Sequence, residues 1–408
     1  MHARANAQSR RSSGLAALAL TCVALAAMLV LAASAEAGVR DYRIGVVSGI
    51  SPSPGDLAAM QRNRARSARV NFSWDFIEVR RRIGPSCATA IYDFSSYDAV
   101  VSNAGQRGIS IMPTLIDSPR YAAANGARYP APGTAGFQDF QCFVRAVVGR
   151  YGRGGTFPAR NITDWQVWNE TNLELYSPNR QISPAKYGQL VKATSASIRS
   201  KDRRATIILA GLPEEVKDGM NSNVFLRRLY RVNGIRSKFS AVALHPYAVG
   251  APGVKGALTR LRETLRRVGD RGRPVWITEV GWATGGSPKG YFLITSEKSQ
   301  ADRLSSTFRM LRRNRDRFKI GTVQWFRHRD TASYAEQRKF WFEFAGLYRK
   351  NGTAKPSCAR FRRVTGAAGG CQRIAATTSS TSASSPGLRS LLDAEQRTQA
   401  QLVPSLPE

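Results

Sequence analysis

Eight short runs rich in apolar and β-branched residues recur along the chain, and the segments between them place apolar residues at helical spacing. The runs are Tyr42 to Val47, Ala68 to Phe72, Ile109 to Leu115, Asp164 to Trp168, Thr206 to Ala210, Ala241 to His245, Pro274 to Thr278 and Gly321 to Trp325. Helices are expected over Tyr97 to Arg107, Phe137 to Tyr151, Pro184 to Ser200, Val224 to Val232, Val254 to Val268 and Glu297 to Asn314. A strand that is apolar along its whole length must be covered on both faces, and a parallel sheet flanked by helices does this. Eight such repeats over roughly 320 residues predict an α/β chain folded as a single (β/α)8 barrel. A doubly wound open sheet is the alternative. It would need a glycine-rich phosphate loop after the first strand, and Gly45-Val46-Val47-Ser48-Gly49 lacks that spacing.

In a barrel of this kind functional side chains sit where the strands end at their C-terminal pole. The fourth run ends Trp165-Gln166-Val167-Trp168-Asn169-Glu170, and the seventh ends Trp276-Ile277-Thr278-Glu279-Val280-Gly281-Trp282. Glu170 and Glu279 therefore face one another across one mouth. Two facing carboxyl groups are what glycoside hydrolysis requires, one to protonate the leaving oxygen and one to attack the anomeric carbon or activate water.

These motifs resemble those of the clan A (β/α)8 glycoside hydrolases, which include cellulase family 5 and the xylosidase and iduronidase family 39. The family pattern Trp-Asn-Glu-Pro-Asn stands here as Trp168-Asn169-Glu170-Thr171-Asn172, with threonine in place of proline. The resemblance extends from about residue 42 to 365 and implies a retaining enzyme with Glu170 as acid/base and Glu279 as nucleophile. It implies further that Asn169 binds substrate and that Arg69, in Arg69-Val70-Asn71-Phe72-Ser73-Trp74, lies beside the nucleophile. In His245-Pro246-Tyr247 it implies a substrate contact for His245 and a hydrogen bond from Tyr247 to the nucleophile, and the i, i+2 spacing aims both into the mouth. Val323-Gln324-Trp325-Phe326 resembles the eighth strand and implies that Trp325 is a stacking platform for a sugar ring. Trp74, Trp168, Trp276 and Trp282 fit packing as well as binding.

No metal or organic cofactor is implied, because the chain has 3 histidines and no cysteines at zinc-ligand spacing. The net charge of +33 favours an anionic partner. No nucleic-acid-binding signature accompanies it, so the expected partner of a monomeric enzyme is a poly- or oligosaccharide, an anionic one by this argument. An arginine-rich genome explains the same charge without a partner. A barrel that has lost catalysis and only binds carbohydrate or cell wall is the rival reading, and the retention of both glutamates and of His-Pro-Tyr argues against it.

Arg4, Arg10 and Arg11 precede an apolar stretch from Leu15 to Ala33, and Ala35-Glu36-Ala37 supplies small residues at cleavage spacing. This predicts a signal peptide over 1–37 and a location outside the cytoplasm, secreted or in the cell envelope. Left uncleaved, the stretch is long enough to anchor the chain, since a span needs about 20 residues. Cys87, Cys142, Cys358 and Cys371 would remain after cleavage, and four cysteines in an exported chain predict two disulfides. Three pairings are open; joining Cys358 to Cys371 closes a short loop and leaves Cys87 for Cys142. The catalytic domain is expected over 38–371. Residues 372–408, rich in serine and threonine, are expected to form a disordered tail.

Overall fold

Each apolar run forms a strand, and the eight strands close on one another. In the computed structural model they are β1 (Arg43–Val47), β2 (Ser67–Ser73), β3 (Ser110–Ile116), β4 (Asp164–Val167), β5 (Thr206–Pro213), β6 (Ala241–His245), β7 (Val275–Val280) and β8 (Ile320–Trp325). The order around the barrel is the order in the chain, with β1 paired to both β2 and β8, and every pairing is parallel. The structure describes residues 42–49, 51–214, 219–287, 291–333 and 340–375, all in one unit that begins at Tyr42. The expected signal peptide, and the expected tail beyond Ala375, lie outside the described residues.

One main helix follows each strand: α1 (Pro54–Arg62), α2 (Ser95–Gln106), α3 (Ala135–Tyr151), α4 (Pro184–Arg199), α5 (Ser222–Leu229), α6 (Ala251–Arg267), α7 (Glu297–Arg313) and α8 (Pro356–Thr365). Their starts are encoded locally. Ser53 and Asp56 form a reciprocal capping box ahead of Pro54, while Thr134, Ser183 and Ser296 each accept a backbone N–H in the first turn of the helix they cap. The α8 helix ends on Gly366 at φ 75°, a left-handed conformation that favours glycine. Helices α1 and α8 are absent from the expected set. Both are placed by tertiary contacts: Arg362 of α8 donates to the Arg62 carbonyl at 2.7 Å and to Asn63 Oδ1 at 2.9 Å.

The main core lies between strands and helices. Inside the barrel, Met112, Ile208, Ala241, Ala243 and Trp276 form a separate apolar layer near the strand starts. Above it the lumen turns polar, with Gln324 Nε2 donating to Ser67 Oγ at 2.7 Å and Gln166 Nε2 donating to Thr278 Oγ1 at 3.2 Å. This change of layer creates a floor on which charged groups can be held at the strand ends.

Two disulfides form, Cys87–Cys142 and Cys358–Cys371. The first ties the excursion between β2 and α2, which carries a small two-stranded ribbon (Glu78–Arg80 with Ile91–Tyr92), to helix α3. Arg81 and Arg82 reinforce that tie by reaching Asp139 of the same helix at 3.2 and 2.5 Å. Past Cys371 the chain stays packed for a few residues, since Ile374 is buried and its N–H donates to the Gly352 carbonyl at 2.9 Å. Among the described residues no helix is long and apolar enough to cross a membrane.

Candidate active site

Strand β4 stops at Val167 and the backbone then turns sharply, with Trp168 at φ 66° and Glu170 at φ 42°. Such left-handed residues other than glycine cost free energy and persist where surrounding contacts fix them. Here the Trp168 N–H donates to the Leu115 carbonyl at 3.2 Å and the Glu170 N–H to the Gly211 carbonyl at 3.2 Å, while the Trp168 indole donates to the Ala127 carbonyl at 2.9 Å. Asn172 closes the turn with bonds to the Pro213 and Met220 carbonyls at 2.9 and 2.7 Å. The loop is thus pinned without the proline that Thr171 replaces.

Six of the seven expected site residues meet at this pole. Arg69, at the centre, donates from Nε to Gln166 Oε1 (2.7 Å) and from its two terminal nitrogens to Glu279 Oε1 (2.6 Å) and Asn169 Oδ1 (2.7 Å). The Tyr247 hydroxyl donates to Glu279 Oε2 at 2.6 Å, so both oxygens of Glu279 are occupied by donors. His245 Nδ1 lies 2.7 Å from Glu170 Oε1, and its Nε2 lies 2.9 Å from Thr278 Oγ1. One oxygen of each glutamate and a ring nitrogen of His245 fall within 4.8 Å of one another. Such closeness would also suit a cation, but the Arg69 guanidinium, 2.6 Å from Glu279 Oε1, already places a positive charge there.

The hydrogen-bond network places a proton on His245 Nδ1. Gln166 Nε2 must face the Leu209 carbonyl, 3.1 Å away, and it also donates to Thr278 Oγ1. Whether the threonine proton points at Nε2 of a neutral ring or Thr278 Oγ1 accepts from Nε2 of a charged one, the proton on Nδ1 is aimed at Glu170 Oε1. Gly211 makes this possible: a Cβ there would sit 1.9 Å from His245 Nε2 and 2.5 Å from Thr278 Oγ1.

The two carboxyl groups consequently differ. Burial raises the pKa of Glu170 above the ordinary carboxylate value, and the charge of Glu279 adds to it, outweighing the lowering effects of His245 and Arg69. For Glu279 burial alone would also raise the value, but His245, Arg69 and the Tyr247 hydroxyl together bring it below the ordinary one. Glu170 Oε2 is buried without a hydrogen-bond partner, the remaining atom of this pair able to deliver or take a proton.

Trp325 is a correction. It is 0% exposed and packs outward against Phe308 of α7 and against Trp282, with ring centroids 6.3 and 5.9 Å away. Strand alternation explains this: Gln324 points into the lumen, so Trp325 must point to the helices. Phe326, the next residue, turns its ring toward Tyr247 and Trp341 at 6.4 and 5.8 Å. Trp341 backs Tyr247 directly at 5.2 Å, and Tyr291 joins it at 6.4 Å. None of these three aromatics, nor Gln166, Thr278 and Gly211, is among the residues expected from sequence. Gln166 and Thr278 did carry a signal, as polar residues flanked by apolar ones inside buried strands.

No family model and no curated protein matches the sequence. Solved structures do match the fold. A family 39 glycoside hydrolase from the gut symbiont Bacteroides cellulosilyticus superimposes with a TM-score of 0.58 at 18% identity, covering 80% of this chain and 64% of that one. The fold is shared with the glycoside hydrolases. A family 39 enzyme from Xanthomonas axonopodis pv. citri gives a TM-score of 0.57 at 17% identity over 81% of this chain and 67% of that one. A family 10 endoxylanase from a sugarcane soil metagenome gives 0.56 at 17% identity over 80% and 98%. This chain therefore spans about two thirds of the length of the family 39 structures, and nearly all of the family 10 one.

Proposed function

We propose that the protein is an exported glycoside hydrolase that cleaves β-linked glycosidic bonds of a poly- or oligosaccharide with retention of configuration. The observation that carries this reading is the unequal treatment of two neighbouring carboxyl groups. Glu279, with both oxygens hydrogen-bonded and its pKa lowered, is kept as an anion fit to attack. Glu170, with its pKa raised and one buried oxygen left unpartnered, is kept protonated and fit to donate.

Glu279 attacks the anomeric carbon while Glu170 passes its proton to the departing oxygen, giving a glycosyl ester on Glu279 and a free alcohol. Esterification removes the Glu279 charge, so the Glu170 proton is held less tightly. As a carboxylate, Glu170 then takes a proton from water, which displaces Glu279 from the anomeric carbon. Two inversions give net retention. Inverting enzymes leave roughly 6.5–9.5 Å between their carboxyl groups for a water molecule; the approach within 4.8 Å seen here favours the direct attack. Export is supported by two disulfides, which persist in oxidising compartments.

Following the anomeric proton by NMR during hydrolysis of aryl β-glycosides tests the proposal. A first-formed β-hemiacetal is expected; a first-formed α-product would mean inversion. Turnover of none of a broad panel of sugars, with polysaccharide binding intact, would favour a binding barrel.

A further inference from the structure

All eight strands run parallel, so every segment leading from a strand into a helix lies at the active-site pole, and every segment leading back lies at the opposite pole, the base. The seven base segments, 63–66, 107–109, 152–163, 200–205, 230–240, 268–274 and 314–319, hold sixteen arginines and lysines against three aspartates. The eight mouth segments, 48–53, 74–94, 117–134, 168–183, 214–221, 246–250, 281–296 and 326–355, hold fifteen basic against twelve acidic residues. The excess of positive charge in the loops is therefore concentrated at the base.

The three base aspartates are engaged locally, Asp202 by Arg153 at 3.1 Å, Asp270 by Arg273 at 2.7 Å and Asp316 by Arg315 at 3.4 Å. The other thirteen cations have no carboxylate within 4.0 Å among the described residues. Arginines in the last turns of seven of the eight helices add to the same pole. Those complement the carbonyl ends of the helices; beyond the helix ends, Arg64 and Arg236 likewise reach the carbonyls of Gly366 and Val268, whereas the Arg203 and Arg204 side chains have no hydrogen-bond partner among the described residues.

A groove of about 190 Å³ opens beside the base between α7 and α8. Its floor is apolar, formed by Ile44, Phe308 and Val364, and four arginines rim it. Of these, Arg360 pairs with Asp302 at 3.3 Å, whereas Arg309, Arg312 and Arg363 have no carboxylate partner among the described residues.

We infer that the base is a docking face for a bilayer containing anionic lipid. The guanidinium groups take the phosphates, and the groove receives part of an acyl chain. An anionic polysaccharide would satisfy the charge, but a sugar ring needs an open aromatic face to stack on, and the one aromatic residue of the floor, Phe308, is 1% exposed. Docked in this way, the catalytic mouth faces away from the membrane. This inference does not depend on the proposed reaction.

Sedimentation of the full chain with phosphatidylcholine vesicles, with and without phosphatidylglycerol, tests it. Binding should require phosphatidylglycerol and weaken as salt is added. Arg203→Glu with Arg204→Glu, and separately Arg312→Glu with Arg363→Glu, should each weaken binding about tenfold or more, while Arg120→Glu at the mouth should change it little. Thermal melting of each variant shows whether it is folded. Dihexanoyl phosphatidylglycerol below its micelle concentration should compete better than glycerol phosphate, because only the former carries acyl chains. Equal binding to neutral vesicles, unchanged binding in both base variants, or binding to polyphosphate without binding to vesicles would overturn the inference.

Discussion

Glu170 and Glu279 carry the same chemical group, and their neighbours alone make one an acid and the other a base form. The rate should therefore follow a bell in pH. Activity is lost on the alkaline side as the raised pKa of Glu170 is passed and its proton leaves. It is lost on the acid side only below the ordinary carboxylate value, where Glu279 takes up a proton. In Arg69→Met, Glu279 loses a lowering influence, so the acid limb of kcat/KM should move to higher pH; an unmoved limb would mean that Arg69 does not set this ionisation. Gly211→Ala should displace His245 and lower kcat about 100-fold or more, since a shift of about 1 Å at a reacting group can cost that much. A normal kcat with normal stability would show that the imidazole position is not critical. That Glu170, Glu279, Asn169, His245 and Tyr247 meet at one pole was legible because each stands in a local motif at a strand end, and Arg69, inside its strand, joined them through the resemblance of its motif. Gly211 was not legible, since its importance arises from what a neighbouring strand brings opposite it, and Thr278 showed only as a polar residue in a strand, without the His245 contact that explains it.

At the scale of elements, the strands were the most legible part. A parallel strand buried on both faces is apolar throughout, so its existence and approximate limits can be read from one short run: β6 occupies Ala241–His245 as expected, and β4 differs by a single residue. Face was harder to read than position. Trp325 closes a strand in which lumen and helix sides alternate, and a run of hydrophobic residues does not reveal which side is which. Its packing against Phe308 predicts a structural role. Trp325→Ala should lower stability by about 3–5 kcal/mol, measured by chemical denaturation, with KM on an aryl glycoside unchanged. A raised KM in a variant of normal stability would restore it as a sugar platform. Trp341 lies in the long connection after β8, where no periodic pattern exists to place a residue, and only the folded chain brings it to Tyr247.

For the whole molecule, net charge and cysteine count were informative in different ways. The number of cysteines led to two disulfides, and the intact mass of the native protein should be four hydrogens lighter than its reduced form; four free thiols would contradict both the pairing and the proposed export. The charge of +33 indicated an anionic partner without indicating where on the surface it binds. Sorting the loops by pole places most of their excess positive charge at the base. A β-glycoside without charge should accordingly be hydrolysed at a rate nearly indifferent to salt, whereas vesicle binding should fall steeply. The division of labour between the two glutamates is tested most directly by azide rescue of Glu170→Ala acting on an activated aryl β-glycoside. Glu279 remains in this variant and a good leaving group needs little protonation, so the glycosyl ester should form and accumulate. Azide, which needs no base, should then restore turnover and yield the β-glycosyl azide. An α-glycosyl azide, or rescue confined to Glu279→Ala, would contradict the assignment.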